Sequence, residues 1–145
     1  MCTPDRPQTR SRRRFRTDPS TLQDARRLVR DLGARARLAP GQREEMVLAV
    51  SEAGANAIQH SGSREWTVAW RTWDRCMEVE VHDQGRFQDA TPLTSAVPRT
   101  GRGFSLIGAL VDRLEVRKGT TARPGTVVTL RKCHLAGGLG EATGG

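Results

Sequence analysis

The sequence contains no tyrosine, and only three tryptophans and three phenylalanines stand among its 145 residues. It has no run approaching the roughly 18 consecutive apolar residues that a bilayer-spanning helix needs. Its first residues also lack the apolar core of a secretory signal. We therefore expect a cytoplasmic protein that does not engage a membrane, and the length favours one domain over two.

Cysteine is scarce as well. Cys2, Cys76 and Cys133 are odd in number, widely separated, and match no metal-ligand spacing. Because thiols stay reduced in the cytosol, we expect these three to be unpaired and predict no disulfide framework.

Arginine is abundant, and the formal net charge at pH 7 is +8. Much of the excess lies early in the chain, at Arg6, Arg10, Arg12, Arg13, Arg14 and Arg16. We expect residues 1–13 to form a solvated, disordered basic arm, with contact to phosphates or to an acidic partner as the alternative. No nucleic-acid recognition motif accompanies the arm, so a basic nucleic-acid-binding module is the lowest-ranked function.

Apolar residues recur at helical spacing in three segments. Asp18-Pro19 predicts a helix start, and the helix that follows is expected to end at Gly33. A second helix is predicted from about residue 42 to 61, and a third over residues 104–114.

Alternating apolar residues predict a hairpin, with strands at residues 66–73 and 77–83 around a turn at Asp74-Arg75. Short strands are expected at 115–117 and 126–130, with room for a first strand at 14–17. Residues 84–101 predict a long loop, and 136–145 a flexible glycine-rich tail. The order predicts an α+β fold over residues 14–135: a two-layer α/β sandwich whose mixed, mostly antiparallel sheet has helices packed on one face.

Three polar residues of the second helix, Glu52, Asn56 and His60, are spaced by four and share one side. Five residues on the opposite side are expected to face the core: Val47, Val50, Gly54, Ala57 and Ile58. Taken alone, the polar side has an alternative interpretation as a solvated helix face.

Three further motifs follow at strand and helix ends. Asp83-Gln84-Gly85 closes the hairpin, and Gly101-Arg102-Gly103-Phe104 opens the third helix, where exposed N–H groups can hold phosphate. Gly125-Thr126 begins the last strand. Taken alone, Asp83-Gln84-Gly85 has an alternative interpretation as a turn, and a single Gly-x-Gly is a weak signal.

In this order, the four motifs resemble those of the GHKL (Bergerat-type) ATPase superfamily, and the resemblance covers roughly residues 15–133. The N box corresponds to residues 51–61, the two glycine boxes to 82–85 and 101–107, and the closing element to 125–128. Within the superfamily, the run at 103–112 is similar to that of the anti-sigma-factor serine kinases. The resemblance implies the Bergerat ATP-binding fold.

The resemblance also implies roles for single residues. Asn56 would bind Mg²⁺, Asp83 would accept a hydrogen bond from the adenine amino group of ATP, and Glu52 would act as general base. Thr126 would support Asp83. The complete set of implied nucleotide contacts is Asn56, His60, Asp83, Gly85, Gly101, Arg102, Gly103, Phe104 and Thr126. One departure from the family pattern is Phe87, which stands where a second glycine often follows Gly85.

The partners implied by the resemblance are an anti-anti-sigma (STAS-domain) protein that carries the substrate serine, and a sigma factor that the kinase sequesters. Homodimerisation is also common in the family. A catalytically silent ATP-binding regulator that works only by sequestration is the alternative function, and the presence of Glu52 and Asn56 favours the kinase over it.

Overall fold

The computed structural model describes residues 6–60, 62–83, 102–119 and 125–134, without the side chains of residues 60 and 102–105. The elements in chain order are β1 (Thr9–Arg16), α1 (Thr21–Arg35), α2 (Pro40–His60), β2 (Glu65–Trp73), β3 (Cys76–Asp83), α3 (Arg102–Leu110), β4 (Arg113–Lys118) and β5 (Thr126–Cys133). No helix within these ranges is long and apolar enough to cross a membrane.

The five strands form one sheet in the order β1-β2-β3-β5-β4. All four pairings between them are antiparallel, so the described strands contain no parallel component of the expected mixed sheet. Alternate residues of β3, namely Met77, Val79, Val81 and Asp83, are buried. Apolar residues of α1, α2 and α3 share one core cluster with the first three. We call this side of the sheet the covered face, and the opposite side the uncovered face. The predicted α+β sandwich is confirmed.

The first helix differs from the prediction at both ends. It begins at Thr21 rather than at Asp18, and it continues through Gly33 to Arg35. Gly33 therefore does not end the helix. A Cβ atom at Gly33 would lie 2.8 Å from Cγ of Arg43, so glycine here allows α1 to approach α2 closely.

The third helix ends at Leu110, four residues earlier than predicted, and β4 begins at Arg113. Asp112 lies between them and fixes the change of direction. Its N–H donates to the Arg131 carbonyl at 2.9 Å, and its carboxylate accepts a hydrogen bond from the Cys133 N–H at 2.8 Å. These long-range bonds to β5 override the local helical spacing.

The basic arm is shorter than predicted, because β1 starts at Thr9. The expected boundary at residue 13 is therefore wrong: arginines assigned to the arm belong to the sheet. Phe15 is 5% exposed and its ring stacks on Trp66, with 5.1 Å between the centroids. This contact anchors β1 on the core.

The thiol prediction also needs correction. Cys76 and Cys133 are directly opposite each other in the β3–β5 ladder, and the structure joins them in a disulfide. The two residues are 57 positions apart in the chain, and only the pairing register of two strands brings them together.

Candidate functional site

The site begins with the polar side of α2. Glu52 and Asn56 are both half-buried, one turn apart on the same helix side. Val50 and Ala57, on the other side, are 1% and 3% exposed. The helix therefore has the two sides predicted from the spacing. Ile58 is only partly buried, and it packs against the core cluster.

Within the part of the chain that the structure describes, neither the Glu52 carboxylate nor the Asn56 amide has a hydrogen-bond partner. Half-buried polar groups without a protein partner can bind water or a ligand. His60 is the last residue of α2, and its side chain lies outside the description.

The second part of the site lies where β3 ends and β5 begins. Asp83 and Thr126 are direct neighbours across the ladder, and they are 6% and 2% exposed. Thr126 Oγ1 is buried and has no hydrogen-bond partner among the described residues. A buried carboxylate with an unmatched hydroxyl beside it can accept and donate hydrogen bonds to a polar ligand.

Trp73 Nε1 and Arg131 Nε are the other buried side-chain atoms without a hydrogen-bond partner among these residues, although Arg131 Nε lies 3.8 Å from the Glu78 carboxylate. Both belong to the uncovered face, where the Arg131 guanidinium lies over the Trp73 ring at 5.3 Å. On the covered face, Thr126 alone among the described residues has such an atom.

Trp66 connects the two parts of the site. It lies opposite Asp83 in the β2–β3 ladder, and its indole N–H donates to Thr21 Oγ1 at 3.1 Å and to the Arg16 carbonyl at 3.2 Å. A Cβ atom at Gly54 of α2 would lie 2.6 Å from Cη2 of this indole. Glycine at position 54 therefore lets α2 pack closely on Trp66 of β2, next to the end of β3 that carries Asp83.

The spacing of α2 predicted that Gly54 faces the core, but no pattern in the sequence indicated its contact with Trp66. A small residue on a helix and a large ring on a strand are common in any core, so no local signal distinguishes this pair. The contact became visible only with the packing of α2 on β2.

The third part of the site is the start of α3. The helix begins at Arg102, so the backbone of Arg102, Gly103 and Phe104 forms the N-terminal turn expected for phosphate binding. Ile107 of this helix is fully buried in the core cluster that α2 shares. Gly85 and Gly101 lie outside the described residues.

Lys132 ties the other end of α3 to α2, a feature that sequence analysis missed. Its side-chain ammonium donates to the Leu110 carbonyl at 2.7 Å and lies 2.7 Å from the Glu45 carboxylate. A cation at a helix C-terminus complements the helix dipole. The lysine therefore holds α3 against the helix that carries Glu52 and Asn56.

The described residues contain no cluster of three or more His, Cys, Asp or Glu side chains that could hold a metal ion. Among the described residues, the Asn56 amide can therefore offer a cation only a partial set of ligands. Mg²⁺ is commonly bound in this way, through one or two protein oxygens and the phosphates of a nucleotide. The amide oxygen of Asn56 suits such a partial ligand set.

Comparison with known proteins defines the class to which this fold and site belong. The sequence pattern of the histidine kinase-like ATPase domain matches residues 15–132. The chain therefore belongs to the histidine kinase-like ATPase family, and an ATPase domain implies ATP binding. No curated protein sequence shows significant similarity to the chain.

Among solved structures, the chain is similar to the RsbU and RsbW domains of Rv1364c from Mycobacterium tuberculosis. The TM-score is 0.64 at 18% sequence identity, over 88% of this chain and 32% of that one. The present chain thus spans about a third of that solved chain, and the likeness supports the fold.

Proposed function

We propose that this protein binds Mg²⁺-ATP between α2, α3 and the Asp83 end of the sheet, transfers the γ-phosphate to a serine of an anti-anti-sigma partner, and sequesters a sigma factor. The observation that carries the proposal is the buried pair of Asp83 and Thr126. The Thr126 hydroxyl, which has no hydrogen-bond partner among the described residues, lies near the helix of Glu52 and Asn56, which packs on the neighbouring Trp66.

At the adenine end, the Asp83 carboxylate accepts a hydrogen bond from the exocyclic amino group. GTP has a carbonyl at that place, so two acceptors would face each other and binding would weaken. Thr126 Oγ1 supplies a donor or acceptor beside the same ring, directly or through a water. Gly85 allows the chain to come close to the base.

At the phosphate end, the N–H groups in the first turn of α3 and the positive end of its helix dipole face the phosphates. Gly101 precedes this turn, Arg102 and Gly103 belong to it, and Phe104 follows. Asn56 contributes one neutral oxygen ligand to Mg²⁺, which neutralises phosphate charge when bound. His60 lies one turn beyond Asn56 and contacts a phosphate or orients its neighbours.

Glu52 is the proposed general base. Its carboxylate is half-buried, lacks a partner among the described residues, and lies one turn before Asn56. It accepts the proton of the partner's serine hydroxyl while the phosphoryl group is transferred. Because phosphoryl transfer depends mainly on positioning and charge neutralisation, the base adds a moderate factor to the rate.

Nucleotide binding is tested first, by titration calorimetry of the purified protein with Mg²⁺-ATP and Mg²⁺-GTP. We expect heat of binding with ATP and a much weaker signal with GTP. Absence of heat with both nucleotides would contradict the nucleotide site.

Phosphoryl transfer is tested with candidate STAS-domain proteins, Mg²⁺-ATP and mass spectrometry for phosphoserine. In the Glu52→Gln variant, we expect phosphorylation to fall about 10²- to 10⁴-fold, the usual contribution of a general base, while ATP still binds. Glu44→Gln on the same helix is the matched control and should retain activity, because Glu44 lies two turns away and pairs with Arg30. Full activity of Glu52→Gln would remove Glu52 from the chemistry.

A further inference from the structure

The sheet has two edges in its described strands, and they carry different charge. On β4, Arg113, Glu115 and Arg117 alternate in sign along the uncovered face, and Arg113 bonds to Glu115 at 3.2 Å. On β1, every second residue is an arginine, and all four side chains are exposed. We call these residues the arginine row: Arg10, Arg12, Arg14 and Arg16.

Most of the arginine row lacks acidic partners. Arg14 lies 3.6 Å from the Glu65 carboxylate, and the described residues offer no ion pair to the other three. Scattered charges are enough to protect an edge strand from aggregation. Four like charges on one face repel one another instead, so the row concentrates unneutralised charge at this edge.

The backbone of the same residues is also open. Hydrogen-bonded pairs alternate along an antiparallel ladder, and Thr17 donates to the Arg64 carbonyl at 3.0 Å, in register with the β1–β2 pairing. The odd-numbered residues of β1 therefore bond to β2. The N–H and C=O groups of Arg10, Arg12 and Arg14 point away from β2, toward the free edge.

We propose that the β1 edge binds an extended acidic segment of a partner protein, which joins the sheet as a further strand with carboxylates at alternate positions. Side chains directly opposite each other in such a pair lie about 4.5–5.5 Å apart at Cβ and repeat with the same two-residue period. Each carboxylate then meets one guanidinium, and charge-assisted hydrogen bonds of this kind are the strong ones. Strand addition to an open edge is a common mode of peptide recognition.

A second copy of this chain fits the edge poorly. If two β1 strands paired about a twofold axis, residues with outward-facing backbone groups would pair with each other. Arginine would then lie opposite arginine along the ladder, and directly opposed like charges are destabilising.

A nucleic acid also fits less well than an acidic strand. Next to the arginine row, the other arginines in the middle of the uncovered face, Arg71 and Arg131, are both paired with Glu78, so they add little free positive charge for a polyanion spread across the sheet. The aromatic residue that the described strands place on this face, Trp73, is 4% exposed and lies beneath Arg131. No exposed ring is therefore present there for base stacking.

The test uses fluorescein-labelled peptides and the purified full chain, without nucleotide. One peptide alternates glutamate and threonine, and its control isomer has the same composition with all glutamates consecutive. By fluorescence anisotropy, we expect the alternating peptide to bind about 10-fold more tightly, because only half of the consecutive glutamates can face the row. Equal binding of both isomers would overturn the proposal.

Two protein variants locate the binding. Arg10→Ser/Arg12→Ser should weaken binding of the alternating peptide by about 10-fold or more, whereas Arg113→Ser/Arg117→Ser at the other edge, which also removes two charges, should leave the Kd within about twofold. Equal loss in both would indicate general electrostatic attraction and contradict a β1 site.

Hydrogen exchange of the wild-type protein gives a readout that does not depend on the folding of a variant. The peptide should protect the amides of Arg10, Arg12 and Arg14. If protection of these amides instead rises with protein concentration in the absence of peptide, the β1 edge binds a second copy of the chain, which contradicts the proposal. Tighter binding of a single-stranded oligonucleotide of equal charge would assign it to nucleic acid. Because Asp83 and α2 take no part, failure here leaves the proposed kinase function intact, and the converse also holds.

Discussion

The two ends of the central strand pair β3 and β5 differ in how they are held. At one end, the disulfide joins Cys76 to Cys133, and the neighbouring Lys132 binds both Glu45 and the end of α3. We call this the cross-linked end. At the other end, Asp83 faces Thr126, whose hydroxyl lacks a partner among the described residues. We call this the site end.

A buried polar group without a hydrogen bond costs about 1–3 kcal/mol. The comparison therefore indicates that more stabilising contacts lie at the cross-linked end, whereas at the site end the described residues leave the Thr126 hydroxyl available for a ligand. Mutations at the two ends should separate stability from nucleotide affinity.

The largest effect on stability is expected from Cys76→Ser/Cys133→Ser. Loss of a native disulfide lowers the free energy of unfolding by about 2–4 kcal/mol, chiefly because the unfolded chain gains freedom. Urea denaturation followed by circular dichroism measures the change, while the Kd for Mg²⁺-ATP should stay the same. Cys2→Ser is the control. Identical urea midpoints with and without a reductant would show that the two sulfurs do not stabilise the fold.

The next effect is expected from Asp83→Asn at the site end. A hydrogen bond to a charged group contributes about 1.5–3 kcal/mol, and 1.4 kcal/mol is a factor of 10. We therefore expect the Kd for ATP in calorimetry to rise by roughly 10- to 100-fold, with little change in unfolding because the shape is conserved. Thr126→Val should weaken binding less. An unchanged Kd for Asp83→Asn would remove the adenine contact.

The smallest effect concerns Arg30 and Glu44, an exposed pair that joins α1 to α2 through hydrogen bonds of 2.8 and 2.9 Å. The hydrogen bond from Arg30 lowers the pKa of the Glu44 carboxyl. A carboxyl whose pKa is lowered in the folded state stabilises that state at pH values above its ordinary pKa. This contribution is lost as the pH falls through the lowered pKa.

Wild type and Glu44→Gln should therefore differ slightly in Tm at pH 7 and converge well below the ordinary glutamate pKa of about 4.3. Added salt should reduce the difference at pH 7, because the pair is exposed to solvent. A Tm difference that persists unchanged in acid would mean that ionisation of Glu44 is not its cause.

The polar residues of α2 were predictable from spacing alone. Glu52 and Asn56 share a helix side because four residues make about one turn, and Val50 and Ala57 lie opposite for the same reason. The position of Asp83 at a strand end also followed from the alternation of apolar residues in β3. Such periodic signals are local, so they do not depend on what the segment packs against.

The features that sequence analysis missed are long-range. A one-residue shift in strand pairing would move Cys133 to the other face of the sheet and separate it from Cys76. The end of α3 was predicted too late because the bonds of Asp112 to β5 outweigh helical spacing. The extent of β1 was missed because a run of arginines resembles a solvated arm until β2 pairs with it.

Periodicity and motif order were therefore enough to predict the α+β class of the fold and to propose the residues of a site, because both signals can be taken from the chain alone. Tertiary structure alone decided that Trp66 meets Gly54, that two cysteines 57 residues apart bond, and that arginines line a free sheet edge. The physical reason is strand register. Local side-chain patterns predict on which face of an element a residue lies, but only the pairing of strands in the sheet determines which distant residue lies opposite it.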